Sequence, residues 1–401
     1  MTNVLVEYEK LNPSFLLVKE IFDAFASKYD TKFRYLRSSI ISSHDIAWSD
    51  IVISIRGFVN LSLDICLEAK RNGRKHILFI DDDLLNLPKD YRVLADRKRA
   101  LRGILDQTDL IMAVNPILGK KYGNLTKSRK YTLINVIEGS FIRPRPEKKC
   151  GGKTKIVYAA NKGHVKIFDR YILPLLPALC KEFKDKITMT FIGVKPNLSI
   201  FENEIEIRYL PTMAFEKYRQ YMQDNKFDIG LAPINNDEFS NCKYYNKFIE
   251  YTLAGVMGIY TKCPPYSLII EDRVNGILCE NTVEDWLNAF KEAINNLEMR
   301  KFCVMNAQRL LRENFSKEKV LRSIAIQIPD LIQYKAKVVR NKRIWGLKKI
   351  KYVFFQLKEN LFFTLIHLVE DGLIITCKKA YQHIVDTKEY NKGNVKKEER
   401  M

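Results

Sequence analysis

The feature that most constrains this chain is a segment from 227 to 281, in which short apolar runs alternate with polar loops. Its predicted elements are a strand over 227–233, a helix from about Tyr245 to Ala254, and strands over 256–260 and 277–279. Strands connected through a helix indicate a parallel α/β sheet, whose ligands collect at helix N-termini and at loops after strand ends. Lys247 and Glu250 lie one turn apart on this helix, so they are candidates for binding a phosphate and a hydroxyl.

The same alternation extends through the rest of the chain. Further strands are predicted over 4–8, 33–40, 50–57, 76–80, 109–115 and 131–136, and then over 156–160, 187–193 and 205–209. The run over 50–57 is apolar almost without interruption, which is typical of a strand buried on both faces. Strands separated in this way by helical patterns predict an α/β fold with Rossmann-like, doubly wound parallel sheets.

The length of 401 residues fits two domains and an extension. Residues 144–154, PRPEKKCGGKT, are rich in Pro, Gly and Lys and predict an interdomain linker. We therefore expect a Rossmann-like N-terminal domain over 1–143, a Rossmann-like C-terminal domain over 155–333 and a basic amphipathic helical tail over 334–401.

The net charge of +20 predicts an anionic partner, such as a nucleoside diphosphate, an acidic lipid or an anionic glycan. Nucleic acid is not expected as a partner, because no recognition motif accompanies the charge. No run approaches the ~20 apolar residues of a spanning helix, and the first ten residues lack a signal-peptide pattern, so a cytoplasmic location is expected. The eight cysteines are scattered and predict reduced, buried thiols in preference to a zinc site or disulfides.

The segment around the predicted helix also resembles a known family. The residues that carry the resemblance are Asp228–Pro233, Lys243, Lys247–Tyr251, Ala254-Gly255 and Asn275–Leu278. Together they resemble the nucleotide-sugar half of GT-B glycosyltransferases, particularly the retaining family-4-like group. The resemblance covers 150–330 well and 1–149 loosely. It implies two Rossmann-like domains facing across a cleft, a nucleotide-sugar donor as co-substrate and no required cofactor or metal.

The resemblance also implies roles for individual residues on this helix. Glu250 matches the Glu that holds the ribose hydroxyls of the donor, and Lys243 and Lys247 match lysines found just before it in the close subgroup. Tyr251 and Asn246, on the same helix, are further donor-binding candidates. Many relatives have a second Glu eight positions before the first, where this chain has Cys242, so the donor sugar and the stereochemistry stay open.

A second phosphate-binding candidate opens the C-terminal domain. The strand over 156–160 is followed by the loop Asn161–Lys166 and by a predicted helix over 167–182. Backbone N–H groups at such a helix start suit a diphosphate, and a Lys adds a point charge. In GT-B relatives this loop carries an Arg or Lys that meets the donor phosphates. We expect Lys166 in that role, with Lys162, Gly163 and His164 beside it. The catalytic candidates are Lys166, Lys247 and His164.

The acceptor-side candidates follow strands of the first domain. Asp81-Asp82-Asp83 ends the strand over 76–80, and Arg56 ends the strand over 50–57. The three carboxylates allow a metal site, an acid/base or acceptor-binding role for Asp81 or Asp82, or a helix cap with solvated charges. No metal is expected, because the resemblance implies none. Asn12 and Ser14 are weaker acceptor-side candidates, and a helix cap with Ser14 as N-cap is the alternative role.

The tail carries a basic run and then an apolar helical pattern. The cations over 335–351 are Lys335, Lys337, Arg340, Lys342, Arg343, Lys348, Lys349 and Lys351, with no acidic residue among them and with Trp345 inside the run. Phe354, Leu357, Leu361, Leu365 and Leu368 then recur at helical spacing. This pattern favours contact of 335–375 with an anionic membrane surface, with packing on the body or on a second copy as the alternative.

Taken together, these features predict a nucleotide-sugar-dependent glycosyltransferase of the hexosyltransferase type. The expected acceptor is a glycan or lipid-linked precursor of a bacterial surface polysaccharide such as capsule, O-antigen or cell-wall glycan. The expected location is the cytoplasm, with peripheral attachment to the inner face of the cell membrane. The alternative is a non-catalytic anion- or membrane-binding protein with a degenerate glycosyltransferase fold.

Overall fold

The structure is a computed structural model of the chain and describes residues 1–88, 95–138, 152–337, 354, 357–362 and 364. Most of the predicted linker over 144–154 and most of the tail lie outside these residues. Among the described residues, no helix is long and apolar enough to cross a membrane. The described cysteines are all free and buried.

The first six strands form a parallel sheet. They are β1 (Thr2–Tyr8), β2 (Thr31–Arg37), β3 (Ile51–Ile55), β4 (Lys75–Ile80), β5 (Leu110–Ala113) and β6 (Tyr131–Leu133). The accompanying helices are α1 (Pro13–Ala26), α2 (Ser43–Trp48), α3 (Asn60–Arg71), α4 (Ala95–Leu105) and α5 (Pro116–Asn124). The strand order is β2-β1-β3-β4-β5-β6, so the chain winds outward from β1 in both directions. This is a doubly wound sheet.

Six further strands form a second parallel sheet. They are β7 (Thr154–Ala159), β8 (Ile187–Ile192), β9 (Glu206–Leu210), β10 (Ile229–Ala232), β11 (Met257–Thr261) and β12 (Ile277–Cys279), in the order β12-β11-β10-β7-β8-β9. The helices are α6 (Val165–Tyr171), α7 (Leu176–Phe183), α8 (Phe215–Asn225), α9 (Glu238–Asn241), α10 (Asn246–Leu253), α11 (Val283–Asn295), α12 (Leu297–Asn314), α13 (Lys317–Gln327) and α14 (Asp330–Gln333). The predicted doubly wound α/β class is confirmed for both halves.

The apolar patterning of the strands explains why helices cover both faces of each sheet. Every residue of β3, β10 and β11 is buried, as expected for central parallel strands. On β1 the side chains alternate, so that Val4 and Val6 belong to the core shared with α1, while Leu5 packs in the cluster that contains residues of α2 and α3. The open edge that remains for ligands is the one where the strands end.

The last helices return to the first domain. Thr31, at the start of β2, donates a hydrogen bond from Oγ1 to the carbonyl of Leu331 at 2.5 Å. Lys75 at the start of β4 pairs with Asp330 at 2.5 Å. These contacts tie α14 to the N-terminal edge of the first sheet.

The predicted helix over 167–182 is interrupted. The structure has α6, a 3-10 turn over Leu173–Leu175 and then α7. Pro174 and Pro177 each lack an N–H, so neither can continue the hydrogen bonding of the preceding turn. The prediction of one continuous helix was therefore wrong.

Candidate functional site

Two pockets lie where the strands of the second sheet end and where the two domains face each other. The second-sheet pocket has a volume of about 380 Å³ and is lined by residues 158–161, 192–193, 212–213 and 231–234, together with His164, Tyr218, Asn246, Lys247, Glu250 and Tyr266. The interdomain pocket has a volume of about 440 Å³ and is lined by side chains of both domains. Asn246, at the start of α10, lines both pockets.

Glu250 and Lys247 form a charged pair in the second-sheet pocket. Lys247 Nζ lies 2.5 Å from Glu250 Oε2, as the three-residue spacing on a helix allows. The hydroxyl of Tyr218 on α8 donates to the same oxygen at 2.9 Å. Burial, followed by the charge of Glu250, raises the pKa of Tyr218 well above its usual value, so this hydroxyl stays protonated. The second oxygen, Oε1, takes part in neither hydrogen bond.

His164 also lines this pocket and is uncharged at neutral pH. Burial, followed by the nearby charges of Lys243 and Lys247, lowers its pKa to about 4. Its carbonyl oxygen accepts a hydrogen bond from the Tyr158 hydroxyl at 3.1 Å, which fixes the backbone of the loop after β7. A neutral imidazole beside two lysines has one ring nitrogen that donates and one that accepts.

Two other donor-loop candidates, Lys166 and Gly163, do not line the pocket. Lys166 is the second residue of α6, is exposed and does not line the second-sheet pocket. Gly163 is exposed, and its N–H donates to Asn161 Oδ1 at 3.1 Å. Lys162 belongs to a 3-10 turn over 162–164, and its side chain lies outside what is described. The contact of these residues with a donor stays a prediction.

Tyr251 is a core residue. It is fully buried, its hydroxyl donates to the carbonyl of Leu231 at 2.7 Å, and its ring covers Gly230 on β10. A side chain on Gly230 would clash with that ring, since an added Cβ would lie 2.6 Å from it. The structure therefore corrects the expectation that Tyr251 contacts the donor. Cys242 is likewise fully buried.

The acceptor-side candidates meet in the interdomain pocket. Arg56 Nε lies 2.5 Å from Asp81 Oδ1, and its Nη2 lies 2.7 Å from Asp82 Oδ2. Lys243, from the second domain, approaches the other oxygen of Asp82 at 3.5 Å. Burial raises the pKa of Asp82, and Asp81 raises it further, against the opposing effect of Lys243 and Arg56. Arg56 adopts a left-handed φ of 63°, which is rare for residues other than Gly and is found at functional sites.

Asp83 points away from this pocket into the first domain. Its fully buried carboxylate pairs with Lys121 at 2.5 Å and accepts a hydrogen bond from the Tyr122 hydroxyl at 2.9 Å. Each carboxylate of the Asp81–Asp83 series thus has a cationic partner. In the parts of the chain that the structure describes, no group of three His, Cys, Asp or Glu side chains is arranged to hold a metal ion.

Asn12 and Ser14 both line the interdomain pocket. Asn12 is the N-cap of α1, because its side-chain oxygen accepts from the N–H of Phe15 at 2.9 Å. The prediction that Ser14 is the N-cap was therefore wrong. Ser14 instead donates its hydroxyl to Asp81 and helps to orient that carboxylate.

Two residues of this region make contacts that the sequence does not predict. Tyr218 comes from α8 and meets Glu250 only in the folded chain. Asn115 caps α5, as its position before Pro116 suggests, but its Nδ2 also donates to the carbonyls of Asn241 and Lys243 in the second domain, at 2.9 and 2.8 Å. The Asn-Pro pair indicates a helix start and says nothing about the opposite domain.

The buried carboxyl of Glu138 should make the free energy of unfolding depend on pH. Burial raises its pKa to about 7, although Arg219 at 2.7 Å opposes the shift. The unfolded carboxyl has its usual pKa near 4.5, so protonation of Glu138 favours the folded state fully below that pH. This contribution, about 3 kcal/mol as an upper value, is lost as pH rises towards 7. In Glu138→Gln this part of the pH dependence should disappear from denaturant unfolding between pH 4.5 and 7.5.

The exposed Glu216→Gln variant is the matched control for Glu138→Gln and should keep the wild-type pH dependence. Equal slopes for wild type and Glu138→Gln would show that Glu138 titrates normally in the folded protein.

Comparison with known proteins identifies solved structures that have a similar fold. No protein-family model matches the sequence, and no curated protein matches it significantly. Among solved structures, HepE from Anabaena in complex with UDP-glucose aligns with a TM-score of 0.60 at 11% identity, over 82% of this chain and 100% of that one. A glycosyltransferase from Rickettsia africae aligns with a TM-score of 0.56 at 16% identity, over 82% and 98%. Sucrose-phosphate synthase from Thermosynechococcus elongatus has a TM-score of 0.58 at 9% identity, over 82% and 99%.

The fold is GT-B. At these identities the similarity establishes the architecture, and it agrees with the two doubly wound parallel sheets. The GT-B similarity predicted from the sequence is confirmed, while the retaining subgroup stays a prediction. In this GT-B chain the second-sheet pocket lies at the strand ends of the C-terminal domain, and the interdomain pocket lies between the domains.

Proposed function

We propose that this protein is a glycosyltransferase that transfers a sugar from a nucleotide-sugar donor bound in the second-sheet pocket. The observation that carries the proposal is the set of polar side chains at the end of the second sheet: Glu250, Lys247 and Tyr218 in mutual contact, with neutral His164 in the same pocket. The GT-B fold supports it, because HepE, which shares this fold, was solved with UDP-glucose.

In the donor complex Glu250 accepts hydrogen bonds from the ribose hydroxyls. A carboxylate suits a pair of vicinal hydroxyls because it offers two acceptor oxygens, and Tyr218 holds one of them in place. Lys247 and Lys243 lie near the diphosphate, where they stabilise the negative charge that grows on the leaving nucleotide. Asn246 and the loop residues Lys162, Gly163 and Lys166 are proposed as further donor contacts at the two helix starts.

His164 contributes as a neutral hydrogen-bond donor. Because its pKa is about 4, it carries no charge at pH 7 and adds no repulsion to the two lysines beside it. An N–H group directed at a phosphate oxygen or at a sugar hydroxyl orients the donor without changing the charge of the pocket. This proposal predicts that the His164 contribution is independent of pH above about 5.

The acceptor is proposed to bind in the interdomain pocket. Asp81, Asp82, Arg56 and Asn12 offer carboxylate, guanidinium and amide groups, which suit the hydroxyls and anionic groups of a glycan. We propose a lipid-linked precursor of a bacterial surface polysaccharide as the acceptor and a peripheral location on the inner face of the membrane, supported by the net charge of +20 and the basic run of the tail.

One observation favours a second candidate function. At Cys242 the resemblance to the family-4-like group implies a Glu, but this chain has a buried thiol there and no carboxylate for the donor. A protein that binds anions with a GT-B fold but does not transfer sugar would fit this difference. It would bind the nucleotide without releasing it from a sugar donor.

A thermal-shift screen against UDP, GDP, dTDP and CMP, with and without Mg²⁺, tests the proposal. One nucleotide should raise the melting temperature, because a ligand that binds only the folded state stabilises it by about 2.7 kcal/mol at 100 times its Kd. The corresponding nucleosides are the control for the diphosphate contribution. A shift only with Mg²⁺ would contradict the metal-independent site, and no shift with any nucleotide would contradict donor binding.

A further inference from the structure

The C-terminal segment contains a short helix that contacts the first domain with its acidic side inward. Residues 357–362, called the tail helix below, are helical. Glu359 is 6% exposed, whereas Leu357 and Leu361 are 59% and 61% exposed, and Phe354 just before them is 66% exposed. Half-buried Phe362 lies on the same side as Glu359, so the inward side carries one acidic and one apolar residue, while three apolar side chains face outward. A helix that packs on a protein core would instead bury most of its apolar side chains.

Arg97 on α4 holds the tail helix in this orientation. Its Nε and Nη2 lie 2.5 and 2.7 Å from the two carboxylate oxygens of Glu359. Its Nη1 and Nη2 also bind both oxygens of Glu9, each at 2.8 Å. Lys358 adds an exposed pair with Asp96 at 3.0 Å. Because Arg97 is buried and binds both carboxylates in a bidentate manner, the rotation of the tail helix about its axis is fixed.

The same arginine places the tail helix beside the interdomain pocket. Glu9 lies three residues before Asn12, which lines that pocket. The carbonyl of Phe58, two residues after Arg56, accepts from Arg97 Nη1 at 3.5 Å. Arg97 therefore sits where β1 and β3 end, on the edge of the sheet that carries the acceptor-side residues.

The sequence before the tail helix is cationic. The tail helix follows the basic run over 335–351, which holds eight Lys and Arg residues and no Asp or Glu. Arg99 and Arg102, which follow Arg97 on α4, are exposed. Three outward apolar side chains that follow a basic run in the sequence match the acyl-chain boundary and the anionic headgroups of a bilayer.

We propose that the tail helix lies on an anionic membrane surface with Phe354, Leu357 and Leu361 at the acyl-chain boundary. The Arg97–Glu359 pair then holds the interdomain pocket next to that surface. This inference rests on the proposed function, because the position suits an acceptor carried on a lipid. Arg97 is a positioning residue here, since it acts through the tail helix and Glu9.

Co-sedimentation of the full chain with vesicles tests the membrane surface. The vesicles contain phosphatidylcholine alone or phosphatidylcholine with phosphatidylglycerol. Wild type should bind the anionic vesicles, and the triple variant Phe354→Ser, Leu357→Ser, Leu361→Ser should partition at least about tenfold less, because interfacial binding scales with the buried apolar area. The matched control is Ile200→Ser, Met305→Ser, Ile326→Ser, which removes three other exposed apolar side chains and should bind like wild type.

The variant Glu359→Gln tests the positioning role. It leaves the apolar side chains intact but weakens the pair with Arg97. The tail helix would then be less ordered in the free protein, and its ordering on the membrane would cost free energy. We expect vesicle binding to fall by about threefold, which is less than in the triple variant. The rise in melting temperature that the nucleotide causes should be unchanged. Binding equal to wild type would overturn the positioning role.

Other outcomes would overturn the membrane surface itself. These are a wild type that does not bind anionic vesicles, a triple variant that binds like wild type, or an equal loss in the control. A wild type that dimerises through the tail helix, and loses the dimer in the triple variant without binding vesicles, would replace the membrane with a second copy. Nucleotide binding is measured on the same samples, so failure of the donor proposal is distinguished from failure of this one.

Discussion

Replacing Glu250 with Ala is expected to weaken binding of the donor nucleotide by about 1–3 kcal/mol, or about 5–150-fold in Kd. The substitution removes the carboxylate that we propose as the acceptor for the ribose hydroxyls, and it leaves Lys247 and the Tyr218 hydroxyl without their shared partner. The cost is therefore larger than that of a single exposed hydrogen bond, because both remaining groups lie in the same partly buried pocket.

Calorimetric titration with the nucleotide identified by thermal shift measures this effect. Glu280→Ala is the matched control, because Glu280 lies in the same domain, is exposed and pairs with Lys262 at 3.3 Å away from the pocket. Glu250→Gln keeps the size of the side chain and should recover part of the affinity through its amide oxygen. Affinity equal to wild type in Glu250→Ala would remove Glu250 from the donor site.

Replacing Lys247 with Met is expected to lower kcat by about 10²–10³-fold. The ammonium group lies in the second-sheet pocket with its side chain 25% exposed, so its attraction for the leaving diphosphate is only partly screened by water. The loss should exceed the loss of donor affinity, because negative charge on the nucleotide grows as the glycosidic bond breaks.

Release of nucleoside diphosphate from the sugar donor measures this rate without knowledge of the acceptor. Lys262→Met is the control, since this exposed lysine of the same domain pairs only with Glu280 among the ion pairs described. A variant Lys247→Met with an unchanged kcat and a raised KM would mean that Lys247 binds donor and transition state equally.

The fold could be predicted from the sequence because its signal is local. The strands of a doubly wound sheet are buried on both faces, so runs such as residues 51–55 are apolar throughout and are separated by helical patterns. Glu250 and Lys247 could be found for a similar reason: a spacing of three residues places them on one side of a helix that begins at the end of a strand.

The rest of the site depends on contacts between distant residues. Tyr218 reaches Glu250 from another helix, 32 residues away in the chain. Tyr251 is next to Glu250 in sequence, but one residue on a helix turns the side chain by about 100°, which directs it against β10. Asp83 continues the acidic run after β4 yet points into the core towards Lys121. Sequence spacing alone carries none of these directions.

The amide of Asn115 has a consequence for how ligands bound to the two domains would affect each other. It donates to the carbonyls of Asn241 and Lys243, which come just before the helix that carries Lys247 and Glu250. Lys121, on the helix that Asn115 caps, also pairs with Glu238. The N-terminal domain thus holds the segment that leads into the donor helix. A ligand that shifts the N-terminal domain on binding would change the affinity of the second-sheet pocket for its own ligand, and by thermodynamic reciprocity that second ligand would change the affinity for the first by the same factor.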